Sequence, residues 1–330
     1  MIITITGANG FIGWHLVQDQ LGRGRKVRAV DLSVSKLQGL GENPGLEIIQ
    51  GDIRDMRKMH QAMNGVDVLF HLASAHLDVS LSDDVYREMN VEALGALVEL
   101  AHQAGVGRFV HCSSVGVFGE IRNPPADETS PCYPDLVYEK TKLMGEEVVL
   151  NYYRKTGFPI TVVRPVWVYG PGCHRTEKLI RSIQKGRFFI VGDGETMRHC
   201  IFIEDMVEAF ECCAQKREAI GEVFIIGGES AVSINTLVRE IAEIGNGSAP
   251  KLYLPLFLMK PLAAACEGVF TFMGKNPPIS SRTLKFFTNN TSFSVVKARD
   301  LLGFTAKYGL HQGLRQTYDY MVGKKQRSAA

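Results

Sequence analysis

The chain has 330 residues, of which 45% are hydrophobic and 22% charged, with a formal net charge of +2. This is the balance of an ordinary soluble globular protein with an ample core, in one large domain or two smaller ones, and it gives no ground for nucleic acid as a partner. Seven scattered cysteines without a CxxC, with Cys212 and Cys213 adjacent, read as reduced thiols rather than a disulfide framework, and nine histidines without HxxxH or Cys–His ligand spacing predict no metal.

The chain opens directly in a β-like run, "MIITIT". No basic region followed by an apolar stretch precedes it, so no signal peptide is expected and the location read from the sequence is cytoplasmic. After this strand (2–6) comes "TGANGFIG", which places Gly7, Gly10 and Gly13 in a turn that opens a helix over 11–22. Strand, tight turn and helix form the context in which such glycines hold a dinucleotide. Gly7 takes the turn, Gly10 leaves room for a phosphate, and Gly13 lets helix pack on strand. Asn9, Phe11 and Ile12 lie in the same turn and join the candidate cofactor contacts. A second strand (26–31) ends at Asp31, whose carboxylate suits two ribose hydroxyls and repels a 2′-phosphate. Arg28 lies earlier in that strand and no arginine directly follows Asp31, so NAD is expected rather than NADP.

A third strand (46–50) leads into "GDIRD". There Asp52, with Ile53 beside it, is a candidate contact for adenine or a helix N-cap. A helix over 55–63 and a strand over 67–72 follow. The strand runs into "HLAS", with Leu72, Ala73 and Ser74 as candidate cofactor contacts. A helix over 83–104 carries Asn90. A strand over 108–112 ends in "HCSSVGVFG". Open α/β sheets bind ligands outside the carboxyl ends of their strands, so Ser113 and Ser114 sit on the productive edge. The helix over 134–156 carries Tyr138 and, one turn later on the same face, Lys142. A strand over 160–164 leads to Pro165. Strand–helix alternation with short connections predicts an α/β fold: a doubly wound parallel sheet of Rossmann type.

Beyond residue 165 the rhythm changes. "RPVWVYGPG" is turn-rich and holds Trp167. "KGRFFIVGDGETMRHCIFIEDMVEAF" reads as strand, Gly-rich turn, strand and a helix from near Glu204, and "GEVFIIGG" as a further strand. Helices follow near 233–245, 256–272, 294–302 and 309–322, then a polar tail expected to fray. The expected organisation is a cofactor domain over 1–165, to which 201–226 returns, and a smaller, mostly helical substrate lobe from 166–200 and 227–330. Residues 252–274 are strongly apolar but are interrupted by Pro255, Lys260, Pro261 and Glu267, so no membrane span is expected. A buried helix, the lining of a greasy pocket and a peripheral membrane contact all remain open there.

Taken together, TGxxGxxG, Ser113–Ser114 and Tyr138-xxx-Lys142 resemble the extended short-chain dehydrogenase/reductase superfamily. "HLAS", Asn90 in "MNVEALGAL", "RPVWVYGPG" and "FIEDMVEAF" extend the resemblance over nearly the whole chain. It implies an NAD-dependent oxidoreductase that interconverts a secondary alcohol and a ketone of a small-molecule substrate. Tyr138 would be the general acid/base. Lys142, with the positive nicotinamide ring, would lower its pKa and hold the nicotinamide ribose. Ser114, three before Val117 in "VFG", matches the family's substrate-oxygen donor. An Asp-Glu pair follows that serine in dehydratases; Val115 and Gly116 stand here, against dehydration.

For the substrate the resemblance points two ways. Arg198 matches the arginine of the epimerase "RDFxxVxD" pattern, which contacts diphosphate. Yet Trp167 stands where nucleotide-sugar enzymes carry asparagine, and no "RxGD" segment occurs. "GKNPPISSRTLKFF" and "FSVVKARDLLGF" are similar to the C-terminal lobe of 3β-hydroxysteroid and sterol dehydrogenases. Trp167 and the apolar 252–274 stretch suit a lipophilic alcohol. The preferred expectation is therefore a hydroxysteroid-like substrate. The alternative is a nucleotide-sugar 4-epimerase with tightly bound NAD, and a third is a redox-inactive NAD-binding scaffold. The resemblance also implies a homodimer through helices 83–104 and 134–156, with Leu94, Leu97, Val98, Leu143, Val148 and Val149 as candidates that could equally face the sheet.

Overall fold

A computed structural model describes residues 1–76, 81–273 and 280–327 of the protein. The strands of the first half are β1 (Ile2–Thr6), β2 (Lys26–Asp31), β3 (Leu46–Gln50), β4 (Val68–His71), β5 (Arg108–Cys112) and β6 (Ile160–Pro165). Among them lie helices α1 (Phe11–Gly22), α2 (Ser35–Gln38), α3 (Met56–Met63), α4 (Asp83–Arg87), α5 (Ala93–Gln103) and α6 (Val137–Thr156). The second half adds β7 (Trp167–Tyr169), α7 (His174–Gln184), β8 (Ile190–Val191), β9 (Met197–Arg198), β10 (Cys200–Phe202), α8 (Ile203–Gln215), β11 (Val223–Ile226), β12 (Val232–Ser233) and α9 (Ile234–Ile244). It closes with β13 (Tyr253–Leu254), α10 (Leu256–Phe272), α11 (Ser281–Thr288), α12 (Val296–Leu302) and α13 (Leu310–Arg327).

Seven strands form one parallel sheet in the order β11-β6-β5-β4-β1-β2-β3. β5 and β6 are buried along their whole length, as their unbroken apolar runs require when helices cover both faces. α1 and α8 cover one face; α3, α5 and α6 cover the other. The chain winds outward from β1 to β3, then returns to place β4 on the other side of β1. The crevice between the ends of β1 and β4 is thus the topological switch point, where open sheets of this kind bind ligands.

The single helix expected over 83–104 is broken by a π-helical turn at Glu88–Glu92. This turn brings Asn90 inward, and α6 packs against it: a Cβ on Gly145 would stand 2.6 Å from the carbonyl oxygen of Asn90. Leu94, Leu97, Val98 and Val149, candidates for a dimer interface, are buried within the chain itself. They fill the layer between α5, α6 and the sheet, so they are not available to a second copy.

Residues 289–294 cross from the second half of the chain back to the first. Thr291 N donates to Met197 O at 3.0 Å, Ala126 N to Ser292 O at 3.0 Å, and Ser294 N to Ala126 O at 2.8 Å. α10 departs from the buried-helix reading. Met259 and Ala263 are buried, while Phe257, Leu258, Leu262 and Val269 are exposed. No described helix is long and apolar enough to cross a membrane.

Candidate active site

At the end of β1, Gly7 has φ +71°, and a Cβ there would stand 2.6 Å from Ala73 N at the end of β4. A Cβ on Gly13 would stand 2.1 Å from Gly7 O. Only glycine allows both approaches, and together they leave the N-terminus of α1 facing the crevice. Asp31, at the end of β2, accepts from Asn9 N through Oδ2 at 2.9 Å and from Ser33 N through Oδ1 at 3.1 Å. These backbone donors fix the carboxylate beside the glycine turn and leave lone pairs for ribose hydroxyls. The donor set fits an NAD diphosphate and ribose.

The side chains of Asn9, Asp52 and Asn90 are engaged by the protein itself. Asn9 Oδ1 accepts from Lys36 N at 2.9 Å. Asp52 is engaged by Arg54, with Nη2 donating to Oδ2 at 2.7 Å, and that hydrogen bond lowers its pKa. The N-cap of α3 is Asp55, not Asp52. Asn90 clamps the segment after β4: its Oδ1 accepts from Ala75 N at 2.9 Å, and its Nδ2 donates to Ala75 O at 3.2 Å and to Thr141 Oγ1 at 3.0 Å. The other predicted cofactor contacts line a cavity of about 790 Å³: Gly7, Gly10, Phe11, Ile12, Gly13, Asp31, Ile53, Leu72, Ala73, Ser74 and Pro165.

Ser113, Ser114, Tyr138 and Lys142 line the same cavity. α6 begins where Glu139 Oε2 reaches back to accept from Leu136 N and Asp135 N, each at 3.1 Å. This cap fixes the turn that bears Tyr138. The Tyr138 phenol is buried and lies beside Ser114. Burial pushes the phenol well above its usual pKa, and its interaction with the Ser114 hydroxyl only partly offsets this. The side chains around Tyr138 therefore do not produce the net lowering expected of it. Lys142 Nζ donates to Cys112 O at 2.7 Å, and burial lowers its pKa against the opposing pull of Cys112 and Glu146. Ser113 donates to Glu146 at 2.5 Å, and Glu146 holds the buried Arg164 at 2.7 Å. Its hydroxyl is thus occupied within the protein, while that of Ser114 accepts from Gly116 N at 3.0 Å.

Past these residues the cavity runs between β7, β9 and α11. Trp167 meets the Phe286 ring edge-on at 6.0 Å, and the guanidinium of Arg175 lies 5.4 Å from the Trp167 ring centre. Arg198 is buried over Phe286 at 4.6 Å. Its Nη1 donates to Asn289 O at 2.8 Å and Thr291 Oγ1 at 3.2 Å, and its Nη2 to Lys285 O at 3.1 Å. Nε is buried without a partner among the described residues. Burial, and after it the charge of Arg175, hold the Arg198 pKa down to about 10. Lys285 also lines the wall and pairs with Asp135 at 2.8 Å.

Arg175, Lys285, Asn289 and His76 were not found by sequence reasoning. His76 meets the Tyr138 ring edge-on at 4.9 Å. Its signal was faint, two residues past "HLAS". Lys285 lies in α11 and Asn289 caps its end, and the adjacent aromatics Phe286 and Phe287 obscure a helical period there.

The sequence profile of the NAD dependent epimerase/dehydratase family matches residues 3–227. The chain is 28% identical over 330 residues to an N-acetyl-alpha-D-glucosaminyl-diphospho-ditrans,octacis-undecaprenol 4-epimerase of Escherichia coli O157:H7, covering 98% of this chain and 96% of that one. It is 32% identical over 280 residues to sterol demethylase protein B of Methylococcus capsulatus, covering 80% of each. The crystal structure of UDP-glucuronic acid 4-epimerase from Bacillus cereus in complex with NAD superposes with a TM-score of 0.78 at 27% identity, covering 98% of this chain and 99% of that one.

Proposed function

Since the chain belongs to the NAD-dependent epimerase/dehydratase family and is an extended short-chain dehydrogenase/reductase that uses NAD, we propose that it is a 4-epimerase of a sugar carried on a diphosphate. The observation that carries this reading is the grouping of Arg175, Arg198 and Lys285 in one cavity with Ser114 and Tyr138. Two guanidinium groups close enough for one to lower the pKa of the other favour an anion between or beside them. The hydrogen bonds of Arg198 go to two backbone carbonyls and a hydroxyl, with no carboxylate partner among the described residues, so a substrate phosphate meets an uncompensated charge. A neutral sterol alcohol offers no anion to these cations.

NAD supplies the hydride acceptor and donor at the reacting carbon. Gly7, Gly10 and the N-terminus of α1 hold its diphosphate, and Asp31 its ribose. Tyr138 takes the proton of the sugar hydroxyl as the carbonyl forms and returns it as the carbonyl is reduced. Ser114 holds that oxygen. Lys142, anchored on the Cys112 carbonyl, carries the positive charge behind the phenol. A second reading, oxidation of a lipophilic alcohol, draws on the Trp167–Phe286 wall and on the sterol-processing relative.

The test is an incubation of the NAD-loaded protein with UDP-linked and polyprenyl-diphosphate-linked N-acetylhexosamines, and separately with a 3β-hydroxysteroid. Interconversion of C4 epimers without net NADH is expected. Net NADH from the steroid with no epimer formed would overturn the proposal in favour of the second reading.

A further inference from the structure

α10 combines three properties that rarely coexist in a globular protein. It is apolar, with Lys260 and Glu267 as its only charged residues. It buries little, chiefly Met259 and Ala263, one helical turn apart. It cannot cross a membrane. A helix that is apolar all round is ordinarily covered on every side. At 100° per residue, the outward arc from Phe257 through Leu258 and Leu262 to Val269 and Met273 holds only apolar, alanine, glycine and proline residues. Phe257 is 73% exposed. Leu252, just before β13, is exposed as well.

The rim of this face is cationic. Lys251 and Lys260 are exposed within the segment, and Lys185 and Arg187 are exposed just before β8, the strand that pairs with β13. Glu267 is the one acidic residue between Lys251 and Met273. A symmetric contact with a second copy would set this basic rim against itself. An anionic bilayer surface complements both the rim and the apolar arc. A 17-residue helix lies about 25 Å long in the plane of the interface. α10 packs on α11, and α11 supplies Lys285 and Phe286 to the cavity wall.

We propose that α10 is a monotopic membrane-docking surface, with its outward arc buried at the boundary of headgroups and acyl chains and its basic rim on anionic headgroups. The cavity then stands at the membrane surface on its α11 side. Docking does not require the substrate reading above, although it would place a diphosphate-linked lipid within reach of Arg175 and Arg198.

The test is co-sedimentation of the full chain with phosphatidylcholine vesicles, with and without phosphatidylglycerol, and no substrate present. The wild-type protein is expected to sediment with the vesicles, more strongly when phosphatidylglycerol is included. Leu258→Glu/Leu262→Glu is expected to lower partition by about tenfold or more, with melting temperature and NAD binding kept. Phe257→Glu, at the most exposed position, is the milder second variant and should lower it in the same direction. Lys251→Glu/Lys260→Glu should remove only the gain from phosphatidylglycerol. Wild-type protein left in the supernatant with both vesicle types would overturn the proposal, as would Glu variants that bind like wild type. A dimer split by those variants, without vesicle binding, would assign the face to a second copy instead. None of these outcomes bears on sugar epimerisation, so the two readings fail separately.

Discussion

Tyr138 is buried, and in the proposed reaction its phenol is the group that moves the proton. Tyr138→Phe is expected to keep NAD binding and fold while lowering turnover by roughly 10²–10⁴, measured as epimer formed per enzyme. Retention of full turnover would remove Tyr138 from the chemistry. Asp31 offers a separate check on the cofactor end. Asp31→Ala leaves Asn9 N and Ser33 N without their acceptor and takes away the ribose partner. NAD affinity should fall by about tenfold or more, read by fluorescence titration, with Tyr138 untouched. The glycine turn, Asp31 and Ser114 were singled out because each follows a strand end, and Tyr138 and Lys142 because they stand one helical turn apart; the fold brings all of them to one cavity. The tasks of Ser113 and Asn90 were not legible. A hydroxyl or an amide is defined by its partner, and Glu146 and Ala75 are far away or on another element.

The strands of the parallel sheet were readable as elements because burial on both faces makes their apolar runs continuous. The π-turn at 88–92 was not, since it changes no periodicity that a helix of that length would reveal. Its structural consequence is testable at Gly145. Gly145→Ala puts a Cβ 2.6 Å from Asn90 O and 3.0 Å from Leu94 Cδ2. α6 must then move away from α5 and carry Tyr138 and Lys142 with it. A loss of about 1–3 kcal/mol in denaturant stability is expected, together with reduced turnover. An unchanged midpoint would mean the two helices yield more easily than their close approach implies. α10 shows where sequence reading is weakest. Apolar composition announces that a surface will be covered, but whether protein or something else covers it depends on neighbours that only the fold supplies.

At the scale of the molecule, buried neutral histidines couple stability to pH. His71 and His111 stack in the middle of the sheet at 5.5 Å. Burial drives the His71 pKa down to about 3 and that of His111 well below its usual 6.5, with Lys142 adding to both. Below pH 6.5 the unfolded chain binds protons that the folded chain refuses. Stability is therefore full above that pH and falls as pH drops from 6.5 toward the folded values, by about 1.4 kcal/mol per unit for each histidine. The ring nitrogens of His111 have no partner among the described residues, so His111→Leu should fold. Its stability should decline less steeply between pH 6.5 and 5 than that of the wild type, measured by urea denaturation; equal slopes would mean His111 is charged inside the sheet. The crossing segment at 289–294 acts on a different property. It ties Ala126 of the cofactor half to Met197 of the other half and brings Phe293 and Thr291 into the cavity wall. A cofactor exchange that parted the two halves would have to break those backbone hydrogen bonds. A reaction that removes a hydride and restores it to the same carbon tolerates a resident cofactor, whereas one that ends in NADH must release it at every cycle. Purified protein is accordingly expected to carry NAD through gel filtration and to surrender it only on unfolding, which makes residence time, rather than affinity, the measure of what this seam does.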